Sequence, residues 1–301
     1  MAGNAAIAVT KFVVAGITGS SSMLSEAIHS TVDTGNSVLL LVGMKRSERK
    51  GDAEHPFGYG REIYFWSLIV AVLIFGLGGG MSIYEGIQHI RSPEPLTDPK
   101  WNYIVLAAAA VFEGISFGIG MRAFLKAKGD KPFWTALHDS KDPSTFTVVA
   151  EDSAALVGLA MAAIGVFTSH YFQMPVLDGA ASVAIGLLLA AVAVLLIMES
   201  RGLLIGEGMD RATARTVRDM IEQDAAVVRS GLPLTMYLGP DEVLMTVDVE
   251  FDQAMPAERV FEAVRRIETA IRARFNHVKR IYIESNPGAV QAQADRLRKQ
   301  G

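Results

Sequence analysis

Between residues 4 and 199 the chain runs again and again for about twenty residues on mostly apolar side chains, the length a helix needs to cross a bilayer. In lipid every backbone N–H and C=O must find a partner inside the chain, so such runs fold as helices. The spacing predicts six spans, at Asn4–Gly19, Met23–Lys45, Tyr64–Ile90, Tyr103–Leu125, Phe146–Tyr171 and Val176–Glu199. The first is short and contains Lys11, which is expected to snorkel to the interface. Half of the 301 residues are hydrophobic, but the excess stops near residue 200 and the rest reads as a charged soluble domain. The expected organisation is a six-span membrane domain over 1–205, a cytosolic domain over 206–288 and a polar tail over 289–301.

Loop charge sets the orientation. Lys45, Arg46, Arg49, Lys50 and Arg61 crowd the 45–61 connection, and Arg122, Lys126, Lys128, Lys131 and Lys141 the 122–141 connection. The turns near 20 and 173 carry no Lys or Arg, which predicts both termini in the cytoplasm. No basic leader with a cleavage site opens the chain, so no removable signal peptide is expected, and a bacterial inner membrane is the expected location. There are no cysteines, so disulfides and thiolate metal sites are excluded. The net charge of −4 and the lack of a long basic run set nucleic acid aside. No nucleophile motif or phosphate loop points to an enzyme.

The soluble part predicts a helix over Asp210–Gln223, a strand within about Val227–Leu238, and a turn at Gly239-Pro240-Asp241. From Glu242 alternation puts Val243, Met245, Val247, Val249 and Phe251 on one strand face. A second helix opens at Pro256 with Val260, Phe261, Val264, Ile267 and Ile271 as its apolar stripe, and His277–Glu284 closes as a strand. The order α-β-β-α-β predicts a ferredoxin-like α+β fold with its helices on one face. The glycines of the third span (Gly76, Gly78, Gly79, Gly80, Gly86) read as close helix packing or as a hinge.

The informative residues are polar groups inside the apolar runs. In SEAIHSTVDTGN, His29 and Asp33 stand four apart and share a helix face, with Asn36 one turn later. In TFTVVAEDSAAL, Glu151 and Asp152 are adjacent. One acid at the bilayer centre costs about 2.5–3.5 kcal/mol, so three uncompensated acids would cost on the order of 8–10 kcal/mol. They are held there only if they face one another, a water path or a cation. An imidazole with two or three carboxylates makes a good site for a first-row divalent metal, and its ligands must lose protons to bind. Glu26, Glu85, Glu113 and Asp178 read as structural or water-facing, Glu113 as bordering a water path. In the loops, Asp52, Glu54 and His55 form a second acidic cluster, and His138 with Asp139 a sparser one. His89, His170 and His277 read as interfacial or surface residues.

With TGSSSMLSEAIHSTVD, HPFGYGRE, six spans and an α-β-β-α-β tail in this order, the chain resembles the cation diffusion facilitators over about residues 5–288, and within them the zinc transporter nine branch. The resemblance implies a homodimer and metal/proton antiport through a tetrahedral site between the second and fifth spans. It implies His29, Asp33 and Asp152 as ligands. The fourth position is Val148, which cannot bind a metal, so Glu151, Asn36 or water must complete the set. Glu151 is the favoured one, although adjacent helical residues point about 100° apart and it would need a local distortion to join Asp152. Asp52 and His55 match a loop site whose third position is Tyr59, so weak or no metal is expected there. In the tail the family's histidines correspond to Asp248, Phe261 and Glu284, so the paired-metal site is expected to be lost.

The expected activity is export of a divalent cation, with zinc leading because imidazole plus carboxylates suits it, in exchange for protons. The acid-rich set also suits manganese, iron or cobalt. A non-transporting metal-sensing or scaffolding homologue is the rival from another class.

Overall fold

A computed structural model of the chain describes residues 2–95, 97–129, 132, 143–291 and 293. Lys131, Lys141, His138 and Asp139 lie outside the described residues, as does most of the 289–301 tail. The chain divides into two compact units, residues 1–46 with 62–201 and residues 47–61 with 202–301. The loop at 47–61 thus groups with the C-terminal part rather than with the helices it joins.

The first unit is helical: α1 (Ala2–Thr18), α2 (Ser21–Ser47), α3 (Glu62–Arg91), α4 (Lys100–Lys128), α5 (Pro143–Phe172) and α6 (Val176–Ile205). Four of them, α3 to α6, are long and apolar enough to cross a membrane. α1 is a shorter apolar helix, and α2, with Glu26, His29 and Asp33 along it, is more polar than the others. Gly19, with φ +70°, ends α1 in the left-handed conformation that glycine adopts without strain.

Small residues bring these helices together. A Cβ on Gly86 of α3 would stand 2.7 Å from the Gly179 oxygen of α6, and one on Gly79 3.0 Å from the Gly186 oxygen. Packing therefore accounts for Gly79 and Gly86, whereas a Cβ on Gly76 would meet nothing within 4 Å. The same stretch contains a wider π turn at Ile74–Gly80, which periodicity did not signal. Ser25 of α2 and Ser182 of α6 hydrogen-bond to each other, and Ser182 also donates to the Ser82 carbonyl of α3 at 3.2 Å.

Asp178 fixes the start of α2. Fully buried in the first turn of α6, it accepts from the backbone N–H of Ser21 at 2.6 Å and of Ser22 at 3.2 Å, and from the hydroxyls of Ser20 and Ser22. These are the orphan donors of a helix N-terminus, and a carboxylate there also answers the helix dipole.

The second unit contains α7 (Arg211–Glu222), β1 (Val227–Ser230), β2 (Leu234–Gly239), β3 (Glu242–Phe251), α8 (Ala257–Arg274) and β4 (Val278–Ser285). The Asp210 side chain accepts from the Thr213 N–H at 2.9 Å and caps α7. β3 is central. β2 pairs antiparallel with its first half and β1 with its second, so both lie along one edge, while β4 runs parallel on the other. The strand expected within Val227–Leu238 is thus two strands, broken at residues 231–233, where Pro233 lacks the N–H a ladder needs. Val243, Met245, Val247, Val249 and Phe251 are buried together with Val217 and Ile221 of α7 and Ile267 and Ile271 of α8, which places both helices on one sheet face. Phe261 is not in this stripe: it is 68 % exposed, about 100° round α8 from Val260, which packs on the core.

Candidate cation site

The polar face of α2 meets α1, α4 and α5. His29, Asn36, Glu151 and Asp152 are all buried, and Asp33 is half-buried. Asn36 donates its amide to Glu151 Oε1 at 2.7 Å, which ties α2 to α5 at the level the sequence marks. Asp152, one residue on, turns instead toward α4 and accepts from the Ser116 hydroxyl at 3.0 Å. The two neighbouring carboxylates thus serve different helices, as their angular separation requires. Asp33 accepts from the Asn4 amide of α1 at 3.2 Å and acts through space on both Glu151 and Asp152. His29 Nδ1 and Asn36 Oδ1 are shielded from solvent without a hydrogen-bond partner. Val148 lies toward α4, its Cγ1 3.3 Å from where a Cβ on Gly120 would stand. Among the described residues no three of His, Asp and Glu gather closely enough to hold one ion.

Lys11 corrects an expectation. It does not snorkel; it is 1 % exposed and donates to Glu26 Oε2 at 3.0 Å and to the Ser30 hydroxyl at 2.7 Å. Glu113 of α4, also buried, is within electrostatic reach of Asp33, Lys11, Asp152 and Glu26. Sequence reasoning did not join Asn4, Lys11, Ser116 or Glu113 to this cluster. The available signal was Lys11 itself, since an ammonium in an apolar helix has to find an acid.

The loop cluster is differently built. Asp52 Oδ1 accepts from the N–H groups of His55 at 2.8 Å and Glu54 at 3.1 Å, and Oδ2 accepts from the Tyr59 hydroxyl at 2.7 Å. That hydroxyl, followed by the His55 N–H, holds the Asp52 carboxyl below its ordinary pKa, and the same bond raises the Tyr59 phenol. The His55 ring lies 4.4 Å from the Tyr59 ring, with the Arg49 guanidinium 4.2 Å over the other aromatic partner, Tyr59. Asp52 is engaged on both oxygens in folding the loop.

Buried carboxylates, an imidazole and amides shared by packed apolar helices are the polar groups that mark a functional path in a membrane protein. A family model described as the cation efflux transmembrane domain matches residues 1–205, and the chain belongs to this cation efflux family of transporters. It is 33 % identical over 264 residues to the proton-coupled zinc antiporter SLC30A9, mitochondrial, of Xenopus laevis, covering 84 % of this chain and 47 % of that protein. It is 30 % identical over 262 residues to metal tolerance protein C4 of Arabidopsis thaliana, covering 86 % and 57 %. Magnetosome protein MamM of Paramagnetospirillum magneticum is 24 % identical over 293 residues, covering 95 % and 85 %. The chain spans about half the length of the SLC30A9 relatives.

Proposed function

We propose that this chain is a divalent metal/proton antiporter that exports zinc from the cytosol through a site shared by α2 and α5. The Asn36–Glu151 hydrogen bond carries the reading, because it joins the two helices at buried donors while His29 Nδ1 stays unpartnered. His29, Asp33 and Asp152 take the ion, and Glu151 replaces the donor that Val148 lacks. The ion draws these groups together out of their bonds to Asn4, Asn36 and Ser116, and protons return them; metal and proton compete for the same lone pairs. Alternating exposure of such a site to the two sides is transport. In this reading α1 and α2 also span the membrane, making six spans, the basic loops face the cytosol, and the protein works as a homodimer. A zinc/proton antiporter among its relatives supports the cargo.

Metal-driven proton flux in proteoliposomes tests the site. Asp33→Ala and Asp152→Ala each abolish it, and Glu151→Gln weakens it; flux unchanged in both Ala variants removes the assignment. Three carboxylates to one imidazole favour a second cargo reading, manganese, iron or cobalt, which accept more oxygen ligands. Competition of each ion against zinc in the same vesicles separates the two.

A further inference from the structure

A cavity of about 490 Å³ opens among α1, the first turn of α2 and the last turns of α3. It lies at the Ser21 end of α2, about 40 Å of helix from Ser47. Glu85, Gln88 and His89 of α3 line it, with Ser21 and, beyond α3, Glu94. Glu85 stands four residues before His89, the interval that separates His29 from Asp33, so both side chains lie on one face of α3. His89 Nε2 and Ser21 Oγ are shielded and have no hydrogen-bond partner.

We propose that this cavity is a second cation-binding site, a vestibule in which Glu85 and His89 hold a first-row divalent ion and water completes its shell. An imidazole nitrogen without a hydrogen-bond partner, on the helix face that also carries a carboxylate, supplies the two donor types such ions favour. Two protein donors hold an ion loosely. That suits a place an ion passes through, since passage needs binding firm enough to enter and weak enough to leave. Its role as an exit step rests on the transport reading above; binding there does not.

The chain has no cysteine, so Gln88→Cys puts a single thiol on the cavity wall. The full-length variant in nanodiscs is labelled with a water-soluble thiol reagent, with and without zinc ions. Zinc at about ten times its dissociation constant slows labelling about tenfold. Adding Glu85→Gln or His89→Asn restores the rate. Each double variant is judged alone and only if it elutes as a monodisperse species, so either one decides. Absence of protection overturns the site, and so does protection that survives in either variant so judged, which assigns the zinc to the new thiol. Repeating the experiment in an Asp33→Ala background separates the two readings: protection persists there even where transport is lost.

Discussion

Lys11 and Glu26 meet at 3.0 Å with side chains 1 % and 0 % exposed, an ammonium and a carboxylate joined where neither reaches solvent. Seven residues before Lys11, Asn4 donates to Asp33, which lies seven after Glu26. Seven residues are two helical turns, so one face of α1 answers one face of α2 at two levels. Breaking a buried pair from one side strands a charge and costs about 3–5 kcal/mol, whereas replacing both partners is often neutral. Lys11→Met and Glu26→Gln should each destabilise the protein by about that amount, and the double variant should recover most of it. Chemical denaturation in detergent measures all three. Losses that simply add would mean the ion pair is not the unit of stability.

This pairing also marks where sequence stops being legible. Helix positions follow from apolar runs, and a helix covers each expected span, although four of the six are long and apolar enough to cross a membrane. Which helix faces which is not encoded locally, so Lys11 read as a side chain reaching outward although its partner stood on the next helix. The adjacent acids at 151 and 152 show both sides of this. Their divergence follows from helix geometry, but Asn36 and Ser116 as their partners follow only from packing. In the soluble unit the alternation of β3 was clear. The break before Pro233 is also written in the sequence, since a proline cannot donate to a ladder, but strand-favouring residues on both sides mask it.

Asp178 should matter through α2 rather than through any ion. It answers two backbone N–H groups and two hydroxyls at the start of that helix. Asp178→Ala strands buried donors, each costing about 1–3 kcal/mol. Asp178→Asn keeps one acceptor oxygen but loses the charge that strengthens these bonds. Thermal unfolding in detergent should rank wild type above Asn and Asn above Ala. Equal unfolding of all three would deny the cap.

The glycines of α3 separate packing from flexibility. Gly86→Ala forces a methyl against the Gly179 oxygen and Val183 at 2.7 Å, so α3 and α6 must part. Overpacking of this kind costs about 1–3 kcal/mol. Gly76→Ala meets nothing within 4 Å and should leave stability level or slightly raised. Thermal unfolding and expression of the two variants give the comparison directly. If Gly76→Ala unfolds earlier than Gly86→Ala, the π turn rather than the α3–α6 contact is the sensitive feature.

In the second unit, Arg266 grips Asp224 with Nε to Oδ2 and Nη2 to Oδ1, both at 3.0 Å. That guanidinium, helped by the Ala226 N–H, holds the Asp224 carboxyl below its ordinary pKa against the opposing effect of burial. A carboxyl depressed in the folded state adds stability above its unfolded pKa, about 3.9, and loses it as pH falls through the folded value. Arg266→Ala should therefore weaken the unit at neutral pH, and the gap to wild type should close as pH drops below about 4. Arg266→Lys keeps the charge but not the fork, and should fall between. Hydrogen exchange of α8 and β1 amides across this pH range reads the gap. A difference between wild type and Arg266→Ala that stays constant from neutral to acid pH would place the role of Arg266 in packing instead of in charge.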